Sequence, residues 1–257
     1  MLIRIFAFAY RNWIFAKRNF FAFTEILFWP IVSLVSIGLM GNFLSLKGDL
    51  ADFLLTGAIT GGVLQVSQLD VSYSLLYDIW SKSIKHTFLA PVNQYHYVLG
   101  SWLIGIIRGI LVFILLAAFS RAAFGFNLPS FGVTAVFAIG VFLSALVTGM
   151  LVCLLVLLYG QRVEVTAWSL STLSLLICGI YYPVSYLPRS VMLVSELIPL
   201  TYFLEYLRAS YGFAPVFSHS LLKGFGLTAI YVAVLFRLLR IAFEKSRRTG
   251  MILRLSE

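Results

Sequence analysis

Apolar residues run along this chain in stretches of about twenty, the length needed to cross roughly 30 Å of hydrocarbon as a helix. Short polar breaks separate the stretches, and together they predict six spans, at about 25–44, 52–77, 97–119, 131–159, 165–180 and 221–243. Pro30 falls in the first turns of the first span, where a membrane helix tolerates a kink. The breaks carry turn and charge signals: Lys47-Gly48-Asp49, the polar run DIWSKSIKH from Asp78 to His86, Gly125 with Asn127 and Pro129, and Gly160 to Glu164.

Two segments do not fit a simple span. Ahead of the first, Arg4, Arg11 and Arg18 recur every seven residues among Leu2, Ile3, Ile5, Phe6, Phe8, Trp13, Ile14 and Phe15. On a helix this makes a cationic stripe beside a wide apolar face, which suits an interfacial helix over 1–22; the simpler alternative extends the first span. Between the fifth and sixth spans, Tyr181, Tyr182, Pro183 and Pro188 end regular helix, because proline removes a backbone donor. The stretch up to Arg208 is then interrupted by Glu196, Pro199 and Glu205, with Tyr202 between them. It is too short and too charged for two more crossings, so a re-entrant helical hairpin is expected over 181–208. The expected fold is an all-α polytopic membrane protein, one domain of 257 residues with a basic tail over 244–257.

Composition agrees. The chain is 61% hydrophobic and 11% charged, with a mean hydropathy of +0.97, against roughly 45–50% apolar and 25% charged in soluble domains. The opening residues lack a small-residue cleavage site and are interrupted by Arg11, Lys17 and Arg18, so no removable signal peptide is expected. A formal charge of +9 raises nucleic acid as a partner, but the basic residues are spread over ends and loops, not gathered in a patch. Of the nineteen Lys and Arg, thirteen lie in the termini and the second and fourth loops, five lie on the other side, and Arg108 lies inside a span. That bias predicts both termini in the cytoplasm of a plasma or bacterial inner membrane.

Little in the sequence points to catalysis. No stretch fits the phosphate loop GxxxxGK[ST], so ATP, if used, comes from another chain. His86, His96 and His219 are scattered, Cys153 and Cys178 stand alone in apolar runs, and neither a metal site nor a cofactor is expected. The unusual residues are Asp70 and Arg108. Counted at 1.5 Å per residue from the span ends, they lie roughly 12 and 16 Å deep, where a charge costs at least about 3 kcal/mol. They either pair, locking two helices, or line a watery route for substrate.

Two stretches carry a resemblance. KHTFLAPVNQYHYVLGSWLIGIIRG, from Lys85 to Gly109, and GIYYPVSYLPRSVMLVSELIPLTYFLEYLR, from Gly179 to Arg208, are similar to the ABC-2 family of exporter permeases. The resemblance implies a cytoplasmic coupling helix over 78–91 that docks on an ATPase subunit, involving Asp78, Lys82, Lys85, His86, Phe88, Leu89 and Pro91. It departs from the family at Lys85, His86 and Thr87, where many relatives carry acidic residues. It further implies two ATPase subunits, which hold ATP and Mg, and a second permease copy. The expected function is export of an amphipathic or lipophilic compound, drug-like first and a lipid-linked glycan second. An ion-coupled secondary transporter using Asp70 is the alternative, and a non-transporting membrane scaffold is the third reading.

Overall fold

The computed structural model describes residues 2–18, 20–46, 48–89 and 92–248, with side chains at most of them. Ten α-helices make up the described chain: α1 Leu2–Arg18, α2 Phe20–Phe43, α3 Asp49–Trp80, α4 Ile84–Leu89, α5 Gln94–Phe124, α6 Phe131–Tyr159, α7 Thr166–Ile177, α8 Arg189–Ser195, α9 Pro199–Ser210 and α10 Ser220–Arg248. No strand occurs among the described residues.

Four of these, α3, α5, α6 and α10, are long and apolar enough to cross a membrane, and the pair α8 and α9, bent by 98°, counts as a fifth if it is one broken span. Helix α2 has 24 residues and reaches about 36 Å, enough to cross roughly 30 Å of hydrocarbon. The fifth expected span is the shorter one: α7 has only 12 residues and reaches about 18 Å. The fifth apolar run stops early because Gly179 takes a left-handed φ of 68° and Pro183 follows.

The centre of the bundle is α3, packed against α2, α5, α6 and α7. Its polar residues Thr56, Thr60, Ser67, Gln68, Ser72, Ser74 and Asp78 are all buried, so its moderate hydropathy reflects an inward polar stripe and not contact with water. Two apolar cores flank the middle of this helix. One joins Leu69–Ile79 positions of α3 to Leu146, Met150 and Leu157 of α6 and Leu239 of α10. The other joins Phe53, Ile59 and Leu64 to Val112, Leu116, Phe137 and Phe203.

Helix α1 is not free at its inner face. Ile5, Phe8 and Ala9 are buried on α5, and a methyl added at Gly100 would lie 2.6 Å from Phe8 Cβ and 2.7 Å from the Ile5 carbonyl oxygen. Glycine there is what allows the two backbones to touch. Leu2, Ile3, Phe6, Tyr10 and Trp13 face outward. The described part of α1 runs to Arg18, and α2 is described from Phe20.

The short helix of the second loop also begins later than expected. The segment 78–91 is not one helix: Asp78 and Ile79 belong to the last turn of α3, the chain turns at Ser81 and Lys82, and α4 covers only Ile84–Leu89. The turn has a local cause. Ser81 Oγ donates to the Tyr77 carbonyl at 2.6 Å, and Lys82 adopts a left-handed φ of 56°.

Candidate functional site

At one end of the bundle, the Asp78 carboxylate joins three helices. Arg11 of α1 donates through Nη1 to both carboxylate oxygens at 3.0 Å, Thr87 Oγ1 of α4 donates at 3.0 Å, and Ser83 Oγ donates at 3.2 Å. Arg11 Nη2 also reaches Ser74 Oγ at 3.1 Å, and Asn12 Nδ2 reaches Ser101 Oγ of α5 at 2.9 Å. The Asp78 side chain is 2% exposed and that of Arg11 27%. Asp78 therefore anchors α4 from beneath, and cannot itself lie on an outer docking face.

The outer face of that segment carries Lys82 and His86, both exposed. Lys85, Phe88 and Leu89 lie on α4 with side chains outside the described residues, and Pro91 lies outside them altogether. Beside this end, Tyr97 at the start of α5 packs edge-on to Phe8 at 5.2 Å and approaches Phe243 of α10 at 6.4 Å. The first turn of α5 is closed by a reciprocal cap between Asn93 and His96. His219 sits in a left-handed turn before α10. No three His, Cys, Asp or Glu residues gather among the described residues.

Midway along α3, between the two apolar cores, Asp70 forms an ion pair with Arg108 of α5. The glycines Gly105 and Gly109 flank Arg108, so α5 approaches α3 closely here: a methyl at Gly105 would lie 2.7 Å from the Ser67 carbonyl, and Ser67 Oγ donates to the Gly105 carbonyl at 3.0 Å. A second polar link lies nearby, where Ser171 Oγ of α7 donates to Gln68 Oε1 at 3.1 Å. Asp70 Oδ2 and Arg108 Nε are buried without a hydrogen-bond partner. The pair locks α3 to α5 where the side chains of Arg108 and Asp70 are 9% and 11% exposed, so each charge depends on the other. In a double-mutant cycle of Asp70→Ala and Arg108→Ala, read as melting in detergent, a coupling of at least about 1 kcal/mol is expected. Additive losses would mean that the pair contributes nothing.

At the other end, the bent segment is held by a buried pair. Arg208 bonds Glu205 one turn earlier on α9 and donates to the carbonyls of Gly179 and Cys178, at the end of α7. Glu205 Oε2 accepts from the Val216 amide at 2.9 Å, in the loop before α10. Pro199 opens α9, Thr201 Oγ1 donates to the Ser195 carbonyl at 2.7 Å, and Tyr202 donates to the Glu196 carbonyl at 2.9 Å. Tyr182 donates to the Leu176 carbonyl at 2.6 Å, while Tyr181 and Pro183 are half-buried and Pro188 precedes α8. Of the residues expected in a re-entrant segment, Glu205 and Arg208 tie this bend to the end of α7 and to the loop before α10.

The sequence profile of the family described as ABC-2 type transporter matches residues 4–211. The chain belongs to the ABC-2 type transporter family. The match takes in α1 through α9, so the Asp78 joint, the Asp70–Arg108 pair and the Glu205–Arg208 corner all lie within the permease domain of this integral membrane protein. Membership implies partnership with an ABC ATPase subunit. A protein of Archaeoglobus fulgidus described as uncharacterized is 60% identical over 48 residues, 19% of this chain and 75% of that protein.

From the sequence, Arg11 reads only as one of three stripe cations, and Gly105 and Gly109 only as packing glycines like the others in the spans. Gly105-x-x-x-Gly109 is itself a helix-packing signal. Arg11 carried no such mark, since its partner lies 67 positions away.

Proposed function

We propose that this permease is the membrane subunit of an ATP-driven exporter that moves an amphipathic or lipophilic compound out of the cytoplasm or the inner leaflet. A drug-like compound ranks ahead of a lipid-linked glycan. The chain does not hydrolyse ATP; ATP and Mg belong to a separate ATPase subunit, present in two copies with two copies of the permease. Energy enters at α4 and the residues on either side of it, with Lys82, Lys85, His86, Phe88, Leu89 and Pro91 making the contact.

One observation carries this reading: Asp78 binds α1, the last turn of α3 and α4 into a single joint. A displacement of α4 is thereby passed to α3, whose middle holds the polar band around Asp70 and Gln68. Six crossings follow if α2, α3, α5, α6 and α10 each cross once and α7 with the bent α8 and α9 makes the remaining one. Both termini then face the basic, cytoplasmic side, consistent with Phe8, Tyr97 and Phe243 meeting at one end, and the corner at 181–208 faces the other side.

The test is purification of the tagged chain from its native membrane in mild detergent, followed by mass spectrometry of what accompanies it. A stoichiometric ATPase subunit is expected, and it should be lost when Phe88 and Leu89 are both replaced by glutamate. A chain that purifies alone and moves solute on an ion gradient would overturn this reading and make Asp70 the ion-coupling group.

A further inference from the structure

Beside the Asp78 joint lies a cavity of about 340 Å³ lined by Ala7, Tyr10, Arg11, Ile14, Phe15 and Arg18. These positions follow one stripe of α1, next to the face that is buried on α5. Its walls are largely apolar, and Phe15 is fixed by stacking on Tyr77 of α3 at 6.0 Å. The guanidinium of Arg11 is engaged by Asp78 and Ser74. Arg18 is exposed at the end of the stripe, with Lys17 beside it, and α1 contains no acidic residue.

An apolar groove ending in a cation, on a helix that also exposes Leu2, Ile3, Phe6, Tyr10 and Trp13, matches a ligand with an anionic head and a hydrocarbon tail. A soluble phosphate would satisfy only one half of that chemistry. We infer that the groove is a binding site for an acidic phospholipid, its phosphate on Arg18 and one acyl chain along Ile14, Phe15 and Ala7. The site rests on the reading that α1 lies along the membrane surface. Because Arg11 belongs both to the groove and to the joint with α4, a bound lipid would steady the element that receives the push from the ATPase.

The test uses the purified full chain in mild detergent with equal amounts of POPG and POPC, and counts retained lipids by native mass spectrometry. Wild type is expected to retain POPG over POPC, and Arg18→Gln to lose that preference by about fivefold, the factor for one arginine near an anionic surface. Arg18→Lys keeps it. Ala7→Trp fills the groove without changing any charge and should abolish retention; both substituted side chains are exposed, and melting confirms that the variants are folded.

Equal retention of the two lipids by wild type would overturn the site. Loss in Arg18→Gln with full retention in Ala7→Trp would also overturn it, in favour of diffuse surface charge. Displacement by free glycerol phosphate would assign the groove to a soluble anion instead. The share of brominated-lipid quenching lost in Trp13→Phe, one of five tryptophans, reports separately on α1: such a loss together with equal lipid retention overturns this site and leaves the surface placement of α1 standing.

Discussion

Glu205→Ala is expected to lower the stability of the permease by about 3–5 kcal/mol, the cost of breaking a buried ion pair from one side. The side chains of Glu205 and Arg208 are 1% and 2% exposed. Removing the carboxylate leaves a guanidinium buried without its counter-charge, and frees the Val216 amide that Glu205 Oε2 accepts. Alanine provides no replacement acceptor. Because Arg208 also bonds the carbonyls that end α7, the damage spreads to three elements: α7, α9 and the loop before α10. Chemical unfolding in detergent, followed by tryptophan fluorescence, measures the loss. The double variant Glu205→Leu, Arg208→Met should recover part of it, since an apolar pair removes both buried charges while leaving the two carbonyls unpaired. A loss under about 1 kcal/mol in Glu205→Ala would show that the corner is held by its apolar packing alone.

Asp78→Ala comes second, at about 3 kcal/mol, the lower end of the range for breaking a buried pair. The discount reflects Arg11, whose side chain is 27% exposed and so retains some access to water. Three donors on three segments lose their common acceptor: Arg11, Ser83 and Thr87. Asp78→Asn keeps one carbonyl oxygen for these donors and should lose roughly half as much. The more informative readout is in the reconstituted complex. If the joint transmits motion from α4 to α3, Asp78→Asn should leave ATP turnover largely intact while transport falls. Transport and hydrolysis falling in parallel would show that Asp78 acts through stability alone.

The two predictions differ in what the sequence disclosed beforehand. Glu205 and Arg208 are three residues apart, so a helix brings them to one face, and their partnership was within reach of spacing alone. Asp78 pairs across 67 positions with an arginine that looked like one of three evenly spaced interfacial cations. No local pattern distinguishes Arg11 from Arg4 or Arg18. The same limit explains why Asp78 was grouped with the short helix after it: polarity marks the run from Asp78 to His86 as outside the bilayer, but the helix break at Ser81 and Lys82 follows from backbone geometry.

By itself the sequence determined the solvent, the class and the punctuation. Apolar runs of membrane-crossing length, with most charges in the breaks between them, leave helices as the structure that satisfies its own backbone in hydrocarbon. Prolines and glycines then set where regular helix ends, as at Gly179 and Pro183. Only the tertiary structure decided which polar groups meet: that α3 turns its hydroxyls and amide inward, that Arg108 finds Asp70 where Gly105 and Gly109 let two backbones approach, and that α1 is tied to α4 through one carboxylate. Hydropathy is a sum over neighbours in the chain, whereas a buried charge is satisfied by a neighbour in space, and packing alone brings those partners together.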